Sequence, residues 1–326
     1  MTMQQVFYDF SIFNILKGKK PLLVCDKIFD TFGIKFPCKV MRFDGFSSNP
    51  VYEDICTGVE ILKKNNCDFI VAVGGGSTID TAKAIKYYSG TDYPLMAVPT
   101  TSGTGSEATH FAVVYINGEK HSVSDQCLLP KYVILQSYLL KTLPLYQKKC
   151  TMLDALCQAI ESWWSKRATE ESIRYSKEAI DLIMKYMDSY LKNEDSGNAK
   201  MLFASHLAGK AINITTTTAP HAMSYKLTSL YGIPHGHAVA ICLPKVWKQM
   251  SNFDDIAIAL GRQNHEAAIS FFEELLRRLE ILSPDNARKE HLDVLTDSVN
   301  TERLSNNPVQ FDKKTIKELY REILEV

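Results

Sequence analysis

One carboxylate and two imidazoles stand in this chain where a metal ion could use them. Asp154 lies in TMLDALCQAIESWW (151–164), and Asp154, Gln158 and Glu161 fall at i, i+4 and i+7, on one helical face. Further along, PHAMSYKLTSLYGIPHGHA (220–238) carries His221 and His235, fourteen residues apart. The first opens a helical segment, and the second sits in a Pro-His-Gly turn that opens the next. A carboxylate with two neutral imidazoles suits Zn²⁺ or Fe²⁺ and leaves positions for water or a substrate oxygen. Each residue alone has an ordinary explanation, as an ion-pair partner or a helix-opening histidine. Their combination is what argues for a ligand set.

The second chemical signal is a glycine-rich turn. In FIVAVGGGSTIDTAKAIKYY (69–88) an apolar run enters Gly74, Gly75, Gly76 and Ser77, and a helix is expected from about Thr78. Glycines let the backbone turn tightly and approach a ligand without Cβ interference. The N–H groups and dipole of the new helix favour an anion, most often a phosphate or pyrophosphate. Asp80 and Lys83 flank its first turn. The motif is neither GxGxxG nor a Walker loop, because no Gly-Lys-Ser/Thr follows, and a phosphoryl transferase built on it is disfavoured. The loop VPTTSGTGSEATH (98–110) gathers Thr100, Thr101, Thr104 and Ser106 around two glycines after the next run. Hydroxyls and bare backbone at the end of a parallel strand are what a dinucleotide crevice offers.

The elements that must position these residues fall into two sets. Apolar runs at 21–26, 39–43, 69–74, 95–100, 111–116 and 132–136 alternate with helical spacing over 51–65 and 78–88. Strands separated by helices predict a doubly wound, mainly parallel sheet, a dinucleotide-binding α/β domain over residues 1–143. Residues 144–326 read as helix after helix, an all-helical metal and substrate domain, with the junction as the default place for a small-molecule cleft. Lys plus Arg and Asp plus Glu both number 37, so no basic surplus exists for a phosphate backbone, and nucleic-acid binding is not expected. The eight cysteines form no CxxC pair and read as reduced thiols. No apolar stretch reaches the length of a membrane helix, and no signal peptide is visible, so the expected compartment is the cytoplasm.

GGGSTIDTAKA (74–84), VPTTSGTGSEAT (98–109), LDALCQAIES (153–162), PHA (220–222) and PHGHAVAICLP (234–244) together resemble the iron-containing (group III) alcohol dehydrogenase family. The resemblance covers nearly the whole chain. It implies a dehydroquinate synthase-like architecture and an NAD(P)-linked alcohol dehydrogenase or aldehyde reductase. Asp154, His221 and His235 then hold Fe²⁺ or Zn²⁺. Gln158 stands where many members have a further ligand histidine, and an amide oxygen is a weaker, neutral donor. Gly74, Gly75, Gly76, Ser77, Asp80, Thr100, Thr101, Thr104, Ser106 and Lys120 are implied for the cofactor, with Asn49 and Pro50 on its adenine side. Asp26, ending the first long run, resembles the residue beside the adenine ribose, where a carboxylate would repel a 2′-phosphate; that favours NAD(H) over NADP(H). Residues 208–244 and 303–312 look most like the phosphonoacetaldehyde reductase branch. Lys210, Thr217 and Thr218 are then candidate donors to a phosphonate. Tyr225 replaces a histidine given a proton-relay role in the alcohol dehydrogenase branch, so no proton donor is assigned. Simple alcohols or diols are the alternative substrates, a degenerate nucleotide-binding homologue lacking catalysis is another alternative, and homodimers are common in the family.

Overall fold

Alternation of side chains along the apolar runs decides how the first part of the chain is built. In Pro21–Cys25 and Phe69–Gly74, Leu22, Val24, Ile70 and Ala72 join one core cluster, while Leu23, Cys25, Val71 and Val73 join another. Both faces of these strands are therefore covered. The computed structural model describes residues 4–250 and 253–326 and contains two compact units, one ending at Thr142 and the other starting at Leu143.

Among the described residues of the first unit, eight strands form: β1 (Gln5–Phe7), β2 (Pro21–Cys25), β3 (Met41–Phe43), β4 (Phe69–Gly74), β5 (Leu95–Pro99), β6 (Phe111–Ile116), β7 (Glu119–Ser124) and β8 (Tyr132–Ile134). Six of them make a parallel sheet in the order β1-β8-β5-β4-β2-β3. Helices α1 (Tyr52–Lys64) and α2 (Gly76–Ser89) cover one face through Ile55, Leu62, Ile79, Ala82 and Ile85. The other face is covered by short 3-10 segments, which bring Phe13, Leu16, Phe29, Phe32 and Leu139 onto it. The run at 111–116 departs from expectation. It leaves the parallel sheet and pairs antiparallel with β7 through Asn117 and Gly118, both at positive φ (52° and 79°), as a two-residue hairpin turn demands.

The second unit contains only helices among its described residues: α3 (Leu145–Trp164), α4 (Glu170–Leu191), α5 (Asp195–Thr215), α6 (Ala219–Tyr231), α7 (His235–Trp247), α8 (Asp254–Ala259), α9 (His265–Arg278), α10 (His291–Asp297), α11 (Thr301–Ser305) and α12 (Lys313–Leu324). Helix α3 packs against α4, α5 and α7, and α6 packs against α7 and α11. From Met152 to Ser162 every residue of α3 is buried, so its polar side chains must find partners inside the protein. No described helix is long and apolar enough to cross a membrane.

Candidate functional site

Three helices deliver the metal candidates. Asp154 projects from the middle of α3, His221 is the third residue of α6, and His235 is the first of α7. The close approach of α7 to α3 depends on Gly236. A Cβ there would overlap the carbonyl oxygen of Cys150 and lie 2.9 Å from Cβ of Asp154. The glycine in Pro-His-Gly thus lets His235 reach the carboxylate.

One potential ligand atom from each of Asp154, His221 and His235 lies within 4.8 Å of the others. His221 Nε2 is 3.3 Å from Asp154 Oδ1, and His235 Nε2 is 4.0 Å from the same oxygen. Metal–ligand bonds of about 2.0–2.2 Å at tetrahedral or octahedral angles put donors about 3.0–3.5 Å apart, so a small contraction of the His235 side would close the set on a divalent ion. His221 Nε2 is buried and makes no hydrogen bond, which fits a nitrogen meant for a metal. Asp154 and His221 side chains are about 5% exposed, whereas that of His235 is 33% exposed. The trio therefore opens on the His235 side. Tyr225, one turn beyond His221, stacks on His235 there, with ring centroids 5.8 Å apart and planes 16° off parallel.

Glu161 completes this centre from behind. Fully buried two turns beyond Asp154, its Oε1 accepts from His221 Nδ1–H. That bond keeps Nδ1 protonated and turns Nε2 toward Asp154, where a divalent ion displacing the Nε2 proton would find its lone pair, the arrangement by which outer carboxylates orient metal-bound histidines. Its Oε2 accepts from Thr218 N (2.8 Å) and Thr218 Oγ1 (2.9 Å), and Trp164 Nε1 donates to the same hydroxyl at 2.8 Å. Burial alone would lower the pKa of His221, but the Glu161 and Asp154 carboxylates outweigh it and hold the imidazole at about 9. The field that retains a proton there would also attract a dication. Burial, with Glu161 adding to it, pushes the nearby Cys157 and Cys242 thiols well above their ordinary range.

The sequence expectations divide at this centre. Gln158 is buried one turn from Asp154 on α3, beside the three-residue cluster. Thr218, a candidate donor to the substrate, bonds Glu161 through its N–H and hydroxyl. Thr217 is buried, with its carbonyl accepting from Asn306 Nδ2 at 3.1 Å. Lys210 is committed elsewhere: its ammonium stands 4.2 Å from the ring centroid of Tyr175 on α4. That contact is where the structure places the lysine expected to meet a phosphonate. Glu161, by contrast, had its face of α3 readable from sequence but no partner to identify it.

The cofactor candidates of the first unit gather around the glycine turn. Gly74 ends β4, and α2 begins at Gly76. A Cβ on Gly76 would lie 2.7 Å from the Thr104 side chain, and one on Gly75 would lie 3.3 Å from Thr101. A Cβ on Gly74 would sit 2.7 Å from Asp26 Oδ2, and Thr100 N donates to Gly74 O at 3.0 Å. The threonine loop is thus laid directly on the turn at Gly75 and Gly76, while Gly74 packs against Thr78 and Asp26. Asp26 accepts from the Thr78 hydroxyl and, at 3.4 Å, from Gly75 N. Ser77 accepts at its carbonyl from Thr81. Asp80 binds the Ser106 hydroxyl and, at 2.9 Å, Val113 N, which pins the loop and the hairpin to α2. Lys83, fully buried, donates to Ser106 Oγ (3.1 Å), Thr109 Oγ1 (3.0 Å) and Phe111 O (2.8 Å). Pro50 is buried with its carbonyl accepting from Tyr115 N, while Asn49 and Lys120 are exposed.

Residues 11–137 match the family model described as iron-containing alcohol dehydrogenase, and residues 149–324 match that for the C-terminal region of the Fe-containing alcohol dehydrogenase family. The chain is 32% identical over 318 residues to 1,3-propanediol dehydrogenase of Citrobacter freundii, covering 86% of this chain and 82% of that protein. It is 28% identical over 306 residues to phosphonoacetaldehyde reductase of Streptomyces viridochromogenes, with 80% and 77% covered. The crystal structure of sulfoacetaldehyde reductase from Bifidobacterium kashiwanohense in complex with NAD⁺ has a TM-score of 0.92 at 27% identity, covering 100% of this chain and 98% of that one.

Proposed function

Because the chain belongs to the iron-containing alcohol dehydrogenase family and is an NAD(P)-dependent alcohol oxidoreductase, we propose that it reduces a short aldehyde to the primary alcohol at a divalent ion held by Asp154, His221 and His235. The observation that carries this reading is the convergence of those three side chains, backed by Glu161. A bound divalent ion supplies Lewis-acid polarisation of the carbonyl, and a reduced nicotinamide supplies the hydride.

The protein's own residues bind and orient. Glu161 keeps the His221 lone pair outward, and Gly236 keeps His235 within reach of Asp154. Tyr225 borders the open side of the trio and shapes the space for the substrate. The glycine turn and its threonine loop cradle the cofactor diphosphate. The Asp26 carboxylate beside that turn supports NAD(H) over NADP(H), since a 2′-phosphate would meet like charge. Eight free cysteines support a reducing compartment such as the cytoplasm.

For the substrate we put phosphonoacetaldehyde first, supported by the likeness to a phosphonoacetaldehyde reductase. A second reading, reduction of uncharged aldehydes, is favoured by the placement of Lys210 on Tyr175. NADH and NADPH oxidation is followed with added Fe²⁺ or Zn²⁺, comparing phosphonoacetaldehyde with butanal, lactaldehyde and succinic semialdehyde. Higher kcat/KM for phosphonoacetaldehyde is the expected result. Equal or better turnover of the uncharged aldehydes would sink the phosphonate and leave the dehydrogenase. No turnover of any, with metal loaded, would sink both.

A further inference from the structure

Thr216 links α5 to α6 with φ 60° and ψ −179°. That backbone region is essentially reserved for glycine, and a β-branched residue stays there only where its surroundings over-determine it. The turn it makes sets where α6 begins, and hence where Thr218 and His221 stand.

What over-determines it comes from about ninety residues further along the chain. Asn306, buried at the C-terminal end of α11, donates from Nδ2 to Thr215 O (2.8 Å), Thr216 Oγ1 (3.1 Å) and Thr217 O (3.1 Å). Two amide hydrogens thus serve three oxygens on consecutive residues. Its Oδ1 accepts from Ser165 Oγ (2.9 Å) just past α3, and its carbonyl accepts from Lys166 N (3.1 Å). One amide therefore joins the end of α3, which carries Asp154 and Glu161, to the turn that places His221.

We propose that Asn306 is a positioning residue of the metal centre: it clamps the turn at 215–217 and, through Thr218 and Glu161, fixes the ring of His221. The proposal rests on the reading of Asp154, His221 and His235 as metal ligands. Asn306 touches neither substrate nor ligand atoms; it acts through the backbone it holds.

The test is Zn²⁺ affinity of the chelator-stripped full-length protein, titrated against a chromophoric competitor at about pH 9 and below each variant's melting temperature. Asn306→Ala should weaken Zn²⁺ binding by about tenfold to a hundredfold, the usual range for outer-shell partners. Adding Thr216→Gly to that variant should restore most of the loss, because glycine adopts this backbone without a clamp. Melting temperatures of wild type, single and double variant are measured alongside, and Zn²⁺ affinity lost while the single variant stays folded marks lost positioning rather than lost stability. Affinity of Asn306→Ala within about twofold of wild type overturns the proposal, as does a double variant no better than the single one. If Asn306→Ala does not fold, Ser165→Ala takes its place, removing the hydroxyl that orients the amide. It should bind Zn²⁺ at least about threefold more weakly, and unchanged affinity overturns the proposal. A wild-type protein that takes up no Zn²⁺ would instead overturn the metal reading itself.

Discussion

Replacing Glu161 by glutamine should weaken metal binding most where pH is highest. The carboxylate has two oxygens in use, one on His221 Nδ1–H and one on both donors of Thr218. An amide has only one oxygen. Kept on Thr218, it turns its NH₂ toward His221 Nδ1, which must then accept, and the imidazole proton moves to Nε2. That nitrogen is the one 3.3 Å from Asp154 Oδ1. With the His221 lone pair lost and one negative charge removed, intrinsic Zn²⁺ affinity should fall about a hundredfold, or about 2.7 kcal/mol. Proton competition works against the wild type as pH falls. Its His221 holds a proton up to about pH 9, so its apparent affinity drops about tenfold per unit below that. The variant holds that proton less tightly and loses less. The gap should therefore be near a hundredfold at about pH 9 and shrink below about tenfold by pH 7. Competition titrations of stripped protein at four pH values would show it, with circular dichroism confirming that both proteins are folded. No gap at pH 9, or one that widens as pH falls, would refute the reasoning.

Gly236→Ala should cost about 1–3 kcal/mol in urea unfolding and weaken Zn²⁺ binding together, because its methyl group would overlap Cys150 O and force α7 off α3; loss of stability with full metal affinity would contradict it. In Gly76→Ala the new Cβ would lie 2.7 Å from Thr104, and fluorescence titration should show NADH binding weaker by about tenfold with Zn²⁺ binding unchanged. Lys210→Ala should change kcat/KM for phosphonoacetaldehyde and butanal by one common factor, since the ammonium is stacked on Tyr175, and a selective loss of the phosphonate would return the lysine to the substrate. Lys83→Met tests a buried charge. Burial, opposed by Asp80 and Glu107, lowers the Lys83 pKa to about 8, so above that pH the native state sheds a proton that the unfolded chain keeps to about 10.4. Wild-type stability should therefore gain on the Met variant as pH rises from about 8 to 10, by up to about 3 kcal/mol, and parallel stability curves would count against it.

Much of this architecture was legible in the sequence because burial on two faces leaves a strong mark. Runs such as FIVAVG and LMAVP are apolar at every position, and they became central strands. The hairpin was harder to read because β7, EKHSVS, is polar and almost wholly exposed, so no apolar alternation announces it. The Asn117-Gly118 pair was its one available signal, since few residues other than Asn and Gly accept positive φ. β1 has only three residues and draws its place from pairing with β8. At the site, Asp154, His221 and His235 could be picked out by type and the structure brings them together, whereas the contacts Lys210 and Thr218 make could not be read. A lysine five residues before a hydroxyl run suggests an anion receptor, yet which way a helix turns its side chains is settled by neighbours such as Tyr175, which sequence spacing does not reveal.

Two backbone exceptions explain why ligands from separate helices can meet. At Gly236 the chain omits a side chain so that α7 can lie against α3. At Thr216 it accepts a conformation costly for threonine, and Asn306 holds it there. Both devices act just where a helix starts, and they leave His221 and His235 in the first turns of α6 and α7. A helix begins with unsatisfied N–H groups and the positive end of its dipole. That field does not help to hold a cation, and the Asp154 and Glu161 carboxylates are what offset it. In the proposed reduction it would favour negative charge developing on a carbonyl oxygen, in the same sense as preorganised donors in other enzymes. The site thus places its carboxylates deep in α3 and the two helix starts at the histidines, one of which keeps a third of its side chain open. This division suits a centre that must bind a dication firmly and still stabilise an oxyanion beside it.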